Sequence, residues 1–116
     1  MSKNTADIAT AYYTAIGEKN VEAVAKYIHP DIRFIAPLGR EIGKEAFLEA
    51  ARKFTALFKS LTIRSSIGSK DQAMVVYDLE CPAPIGTFST AAHMTFREGL
   101  IAKIELFFDA RPFQQS

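Results

Sequence analysis

The segment YYTAIGEKNVEAVAKYIHPDIRFIAPLG, residues 12–39, has the pattern of two helices followed by one strand. Apolar residues recur every fourth position around its start, which is typical of a first helix over about residues 5–18. A short second helix must end near His29, because residues that precede a proline avoid helical geometry. A two-residue alternation then marks a half-buried strand over about residues 32–36, which turns at Pro37. The segment therefore predicts a pair of helices beside the first strand of a sheet.

The residues that follow predict one more helix and then only strands. Apolar positions from Phe47 to Phe58 repeat at helical spacing, while the charged residues between them face water. Strands joined by short turns follow over about residues 61–68, 72–81, 86–97 and 100–109. Sequential strands with short connections form an antiparallel meander. We therefore expect one α+β domain over residues 1–116, with three N-terminal helices in the concave face of a curved, mainly antiparallel sheet.

Composition supports a globular domain and excludes some partners. The chain has 116 residues, of which 48% are hydrophobic and 23% are charged, which suffices for a buried core. Its net charge is +1 and the two signs are interleaved, so neither nucleic acid nor an anionic membrane is expected as a partner. The first residues lack the apolar stretch of a signal peptide and no later run is long enough to span a bilayer. We therefore expect a cytoplasmic location.

The residue types that most often carry cofactors or metals show no suitable pattern. Cys81 is the only cysteine, and its neighbours Leu79 and Pro82 do not lower a thiol pKa, so a buried, inert thiol is expected. His29 is interpreted as a helix-end residue favoured by the helix dipole. The two histidines, Cys81 and the scattered acids lack metal-ligand spacing, and no glycine-rich loop is suited to phosphate. We expect neither a metal nor a cofactor.

Strand parity predicts which side chains face the interior, because alternate residues of a strand point to opposite faces. In the last two predicted strands one face is almost entirely apolar, and we expect it to pack against the helices. The matching face of the strand before them carries Tyr77, whose hydroxyl would then lie inside. Tyr12 lies on the apolar face of its helix, where it is either a core tyrosine or a hydroxyl in a pocket.

The order of elements, the segment 12–39 and the ending GLIAKIELFFDARPF, residues 99–113, resemble the nuclear transport factor 2-like superfamily and, within it, the SnoaL-like group. The resemblance covers nearly the whole chain. It implies a cystatin-like α+β roll with a pocket between the helices and the concave sheet. The same roll hosts isomerases, cyclases, dehydratases, hydrolases and proteins without chemistry, so it implies a pocket but no particular substrate.

Ketosteroid isomerase is a distant relative in this superfamily. Its oxyanion hole uses a tyrosine and a protonated aspartic acid, and a second aspartate moves the proton. The resemblance places Tyr12 at the tyrosine, Ala36 at the aspartate base and Ala92 at the acid of the oxyanion hole. Alanine neither carries nor donates a proton. This route of proton abstraction is therefore excluded unless another residue substitutes.

The SnoaL-like cyclases suggest a different base, an aspartate at the end of the last strand, and Asp109 matches that position. Beside Phe107, Phe108 and Phe113 such a carboxyl would have a raised pKa and would abstract a proton near neutral pH. Regular strand parity instead directs Asp109 outward, so this role needs a bulge or an early end of the strand. In the alternative, Asp109 pairs with Arg111 or caps the C-terminal turn.

These features predict a pocket for a compact, mostly apolar molecule with one or two oxygens. As an enzyme the protein would be a cofactor-independent isomerase, lyase or cyclase, with Asp109 as the base and Tyr12 as the hydrogen-bond donor. The alternative is a non-catalytic binding or dimerisation module whose interior is filled by side chains. The expected ligand-binding residues are Tyr12, Ile16, Phe34, Ala36, Phe54, Phe58, Tyr77, Leu79, Ala92, Met94, Ile104, Leu106 and Phe108.

The opposite face of the predicted sheet carries an apolar patch. Phe107 would lie there near Ile101, Ala91 and Val76, and exposed apolar patches of this kind usually become interfaces. We expect a homodimer formed sheet to sheet, with Phe107 and His93 near its two-fold axis.

Overall fold

A computed structural model describes residues 4–114 of the chain. The elements in chain order are α1 (Thr5–Gly17), α2 (Val21–Ala25), β1 (Ile28–Ala36), β2 (Gly39–Ile42), α3 (Lys44–Thr55), β3 (Ser60–Gly68), β4 (Gln72–Glu80), β5 (Thr87–Arg97), β6 (Leu100–Phe107) and α4 (Arg111–Gln114). Within residues 4–114, none of the helices has both the length and the apolar composition needed to cross a membrane.

The strands form one sheet in the order β2-β1-β6-β5-β4-β3. Neighbouring strands are antiparallel except β1 and β6, which run parallel. The chain can place β1 beside β6 because the helix α3 carries it from the β1–β2 hairpin to the far edge of the sheet. The sheet is curved and the helices pack on one of its faces. The predicted α+β fold is confirmed.

The predicted end of the second helix is wrong by several residues. The helix α2 ends at Ala25, and β1 already begins at Ile28, so His29 lies in a strand and not at a helix end. Pro30 is tolerated in this strand because the register between β1 and β6 shifts between Ile28 and Arg33, where no regular ladder bond is needed from its nitrogen.

His29 connects β1 to the turn between β5 and β6. Its side chain is buried, and its Nδ1 accepts a hydrogen bond from the backbone N–H of Asp31 at 3.0 Å. Its Nε2 is 3.2 Å from Oε1 of Glu98 in that turn and 3.3 Å from Nη2 of Arg97. The interpretation of His29 as a helix-end residue favoured by the helix dipole is therefore wrong, because its side chain makes a tertiary contact with Glu98.

The N-terminus of α1 is attached to the turn between β3 and β4. The hydroxyl oxygen of Thr5 lies 2.6 Å from the carbonyl oxygen of Ser69 and 2.8 Å from that of Gln72. One turn further along α1, Thr10 Oγ1 is 3.0 Å from Ser66 Oγ on β3. These bonds fix the axis of α1 across the sheet and so set the position of its tyrosines.

A bulge in β6 changes which residues face outward. Thr95 pairs with Lys103 and Phe96 pairs with Ile101, so Ala102 is an extra residue that reverses the alternation before it. Ile101 is fully buried in the core, and its predicted place in the outer apolar patch is wrong. Phe107 does lie outward and is 52% exposed.

Candidate functional site

A cavity of about 460 Å³ lies between the helices α1 and α3 and one end of the sheet. Its sheet wall comes from the C-terminal ends of β1, β4 and β6, from the start of β5 and from β2. The short helix α4 lies at this end of the sheet. In α4, Phe113 packs against Phe88 and Phe108, with ring centroids 5.3 Å and 5.6 Å away.

Most of the expected ligand-binding residues line this cavity. They are Tyr12, Ile16, Phe34, Ala36, Phe54, Tyr77, Leu79, Leu106 and Phe108. The remaining expected residues lie in the packed core and do not contact the cavity. They are Phe58, Ala92, Met94 and Ile104.

Residues that line the cavity and residues that lie in the core differ in their position along each strand. On β5, Phe88 and Thr90 line the cavity, whereas Ala92 and Met94 on the same face are fully buried further along the strand. Strand parity predicts the face of a residue but not the depth at which the helices close over it. The cavity therefore occupies one end of the concave face and the side-chain core the other.

Three tyrosines meet at the inner end of the cavity. The rings of Tyr12 and Tyr13 are 4.7 Å apart and nearly perpendicular, and the ring of Tyr77 lies 4.4 Å from that of Tyr13. Burial raises the pKa of each of these hydroxyls, so all three stay protonated at neutral pH and can donate hydrogen bonds. Tyr12 is thus both a buried tyrosine and a wall of the cavity.

Thr90 adds a fourth hydroxyl to this polar end. It is opposite Tyr77 in the β4–β5 ladder and is 2% exposed. A polar interaction with Thr90 offsets part of the rise in the Tyr77 pKa. The contact between Thr90 and Tyr77 does not have the geometry of a hydrogen bond. Among the described residues, Thr90 Oγ1 is the one buried side-chain polar atom without a hydrogen-bond partner.

Glu41 is a cavity residue that sequence reasoning missed. It lies on β2 opposite Phe34 of β1, and directly paired residues of an antiparallel ladder share a face. The side chain is half-buried, and it is the only acidic or basic side chain of the described residues that lines the cavity. The sequence could have indicated this position, because a hairpin that turns at Pro37 pairs Glu41 with Phe34 and so directs both side chains to the same face.

Asp109 lies outside the cavity lining and is bound by Arg111. The Arg111 guanidinium donates from Nη2 to Asp109 Oδ2 at 2.6 Å and from Nε to Oδ1 at 2.9 Å. The backbone N–H of Arg111 also donates to Oδ1 at 3.0 Å, so Asp109 caps the start of α4. The expected rise in pKa is wrong, because hydrogen bonds from Arg111 lower the Asp109 pKa from 3.8 to about 2. The alternative, pairing with Arg111 and capping, is confirmed.

The Asp109 carboxyl is expected to titrate near pH 2. Because its folded pKa is below the unfolded value, its contribution to stability is complete above about pH 4 and is lost as the pH falls through 2. The titration midpoint of its ¹³C carboxyl resonance measures this directly. In Arg111→Ala the midpoint should return toward 3.8, and an unchanged midpoint would contradict the assigned cause.

The other candidates have structural positions. Cys81 lines the cavity, and burial raises its thiol pKa, as expected for an unreactive cysteine. His93 lies on the outer face of the sheet, with its Nε2 3.0 Å from Oε1 of Gln72. Over residues 4–114, no group of three or more histidine, cysteine or acidic side chains is arranged to hold a metal ion.

Comparison with known proteins decides the family. A model of the SnoaL-like domain matches residues 9–104, which run from within α1 to within β6. The chain belongs to the SnoaL-like domain family. The predicted membership of the nuclear transport factor 2-like superfamily is confirmed. A search of curated proteins finds no significant match to this SnoaL-like chain.

Solved structures show how widely the fold of this SnoaL-like protein recurs. A protein from Kribbella flavida is 28% identical, with a TM-score of 0.90 over 98% of this chain and 93% of its own. An NTF2-like protein of unknown function from Cytophaga hutchinsonii is 20% identical, with a TM-score of 0.84 over 98% of both chains. A candidate polyketide cyclase from Sinorhizobium meliloti is 22% identical, with a TM-score of 0.78 over 87% of this chain and 94% of its own.

Proposed function

We propose that this SnoaL-like protein binds a compact, mostly apolar molecule that carries one or two oxygens. The observation that supports the proposal is the cavity of about 460 Å³, whose apolar walls end at buried tyrosine hydroxyls. Binding sites for small molecules commonly combine an apolar cleft of this size with a few converging polar groups. As an enzyme, the protein would be a cofactor-independent isomerase, lyase or cyclase.

The cavity distinguishes this proposal from its alternative. A non-catalytic module with a side-chain-filled interior would have no open space between α3 and the sheet. Here Phe34, Phe47 and Phe54 line open space instead of closing it. The candidate polyketide cyclase among the similar structures has the same fold, which supports a ligand-binding role without identifying the ligand.

In the proposed chemistry, Tyr12 donates a hydrogen bond to an oxygen of the ligand. A phenol is protonated at neutral pH, and burial raises the Tyr12 pKa further above that range, so Tyr12 can donate a hydrogen bond to a developing negative charge. Asp109 was the base expected from the sequence, and its role depends on breaking the pairing with Arg111. An exposed carboxylate whose pKa is about 2 is a weak base.

A thermal-shift series tests the proposed binding. The probes are 1-tetralone, 1-naphthol and 1-naphthoate, which have similar two-ring skeletons but differ in charge and hydrogen bonding. A ligand that binds only the folded state raises the melting temperature. We expect the two neutral probes to raise it and the anion to have no effect, because the cavity offers no cation to pair with a carboxylate. No response to any probe up to millimolar concentration would contradict the proposed function.

We also propose that the protein forms a homodimer through the outer face of the sheet. Phe107 is 52% exposed there, and Met74, 47% exposed, lies two strands away on the same face. Ala91 on β5 pairs with Phe107 on β6 and with Val76 on β4, so these three residues form a row across the strands. Met74 lies two residues before Val76 on the same face of β4. An exposed apolar patch that spans three strands is typical of an interface.

The Phe107→Lys variant is expected to convert this dimer into a monomer, because a lysine opposite its own copy at a two-fold axis places like charges together. Size-exclusion chromatography with light scattering at micromolar concentration measures the change in mass. Leu57→Lys is the control, since Leu57 is 62% exposed but lies beside the cavity and away from the outer sheet face. A monomeric wild type would refute the proposal.

A further inference from the structure

The sole acidic or basic side chain on the cavity wall of the described residues has no ionic partner there. Glu41 lines the cavity, yet it is absent from the salt bridges formed among residues 4–114. The wall around it is aromatic. Phe34, its ladder partner, packs on Phe47 with centroids 5.7 Å apart, and Phe47 lies 6.4 Å from Tyr12. A row of aromatic rings therefore extends from Phe34, the ladder partner of Glu41, to Tyr12.

The ladder between β1 and β2 places Glu41 next to Ala36. Ala36 pairs with Gly39 and Phe34 pairs with Glu41, so Glu41 and Ala36 are diagonal neighbours on the same face of the hairpin. Diagonal neighbours in such a ladder are about 7–8 Å apart. Gly39 has no side chain, so nothing on β2 separates the glutamate from the wall at Ala36. The longer glutamate side chain can therefore bring a carboxylate to the cavity where Ala36 supplies none.

We propose that Glu41 is the general base of this cavity and that its substrates are compact neutral carbonyl compounds with an acidic C–H next to the carbonyl. This inference rests on the proposed function. Glu41 accepts the proton as the C–H bond breaks, and the electron pair moves through the new C=C bond onto the carbonyl oxygen. The oxygen then carries the negative charge and accepts a hydrogen bond from a buried tyrosine. Return of the proton to carbon restores the carboxylate and yields the ketone or its isomer.

The lining of the cavity favours this class of substrate over others. An anionic molecule would meet the negative charge of Glu41 and find no cation among the described lining residues. A hydrocarbon would leave the tyrosine hydroxyls and Thr90 Oγ1 without a partner. A neutral carbonyl compound satisfies both ends, since its oxygen accepts a hydrogen bond while its remaining surface is apolar.

The experiment measures exchange of the α-hydrogens of 1-tetralone for deuterium in D₂O by ¹H NMR, with the uncatalysed rate subtracted. This readout needs only the proton-transfer step. We expect the wild type to accelerate exchange and Glu41→Gln to lower the enzymatic rate at least about 100-fold, the lower range for loss of a general base. The dissociation constant for 1-tetralone should change little, because the amide keeps the shape of the side chain. Glu41→Asp should retain part of the rate.

The control variant is Glu45→Gln, which changes an exposed acid at the start of α3 outside the cavity lining and should leave exchange unchanged. Binding of 1-tetralone without exchange above the buffer rate would overturn the role of Glu41 and leave the proposed binding function intact. Full exchange by Glu41→Gln, or loss of exchange in Asp109→Asn alone, would also overturn it. Absence of binding would contradict the proposed function and this inference with it.

Discussion

Gly68→Ala is expected to destabilise the protein by about 3 kcal/mol, because the new methyl group overpacks the contact between α1 and the sheet. A Cβ at this position would lie 2.5 Å from Thr5 Oγ1 and 2.6 Å from the backbone nitrogen of Ala6. The clash involves backbone, so no side-chain rotation relieves it. It also displaces the Thr5 hydroxyl from the carbonyl oxygens of Ser69 and Gln72. Urea denaturation followed by circular dichroism measures the loss.

The matched control is Gly39→Ala. Gly39 also lies in a strand, but no atom is within 4 Å of its hypothetical Cβ and its φ is not in the left-handed region. This change should leave stability unchanged or raise it by about 0.5 kcal/mol, since alanine restricts the unfolded chain. Equal stability of the two variants would show that α1 moves away from Gly68 without cost.

Ala36→Phe is expected to abolish binding of 1-tetralone while the protein remains folded. Ala36 lines the cavity, so a phenyl ring at this position extends into open space and occupies the volume that the ligand needs. We expect the dissociation constant to rise at least about 100-fold, equivalent to about 3 kcal/mol. The melting temperature should change by only a few degrees. Retained affinity would place the binding site elsewhere.

Ala92→Phe should have the opposite effect. Ala92 is fully buried, and it is surrounded by the core and not by the cavity. A larger side chain there forces the neighbours of the strand apart and should cost about 3 kcal/mol of stability. Thermal unfolding measures this loss. If Ala92→Phe were as stable as Ala36→Phe, the division of the concave face into a cavity and a core would be wrong.

The fold class could be predicted from local patterns, and the family from the resemblance of residues 12–39 and 99–113 to its members. Helical spacing around Tyr12, the alternation in β4 and β5 and the short turns between strands each depend on residues close in sequence. The errors arose where a distant contact decides the outcome. His29 and Pro30 read as a helix exit, but pairing of β1 with β6 draws them into a strand. The bulge at Ala102 turned Ile101 inward against the predicted parity.

The candidate site was only partly predictable, for the same reason. Parity correctly assigned Phe34 and Tyr77 to the concave face, and the cavity lies there. Parity does not predict where along a strand the cavity ends and the packed core begins. Ala92 and Met94 were therefore expected to bind the ligand, although they lie in the core. The position of Glu41 in the cavity was not predicted, because Glu41 lies in a four-residue strand that is too short to show a periodic pattern.

By itself the sequence determined the order of helices and strands, the inner face of β4 and β5 and the absence of a carboxylate at Ala36 and Ala92. Only the tertiary structure decided that these two alanines have different surroundings and that Glu41 reaches the cavity. The physical reason is the range of the interactions. Hydrogen-bonding geometry and side-chain alternation act between near neighbours in the chain, whereas the limits of a cavity depend on the packing of α1 and α3 across strands that are distant in sequence.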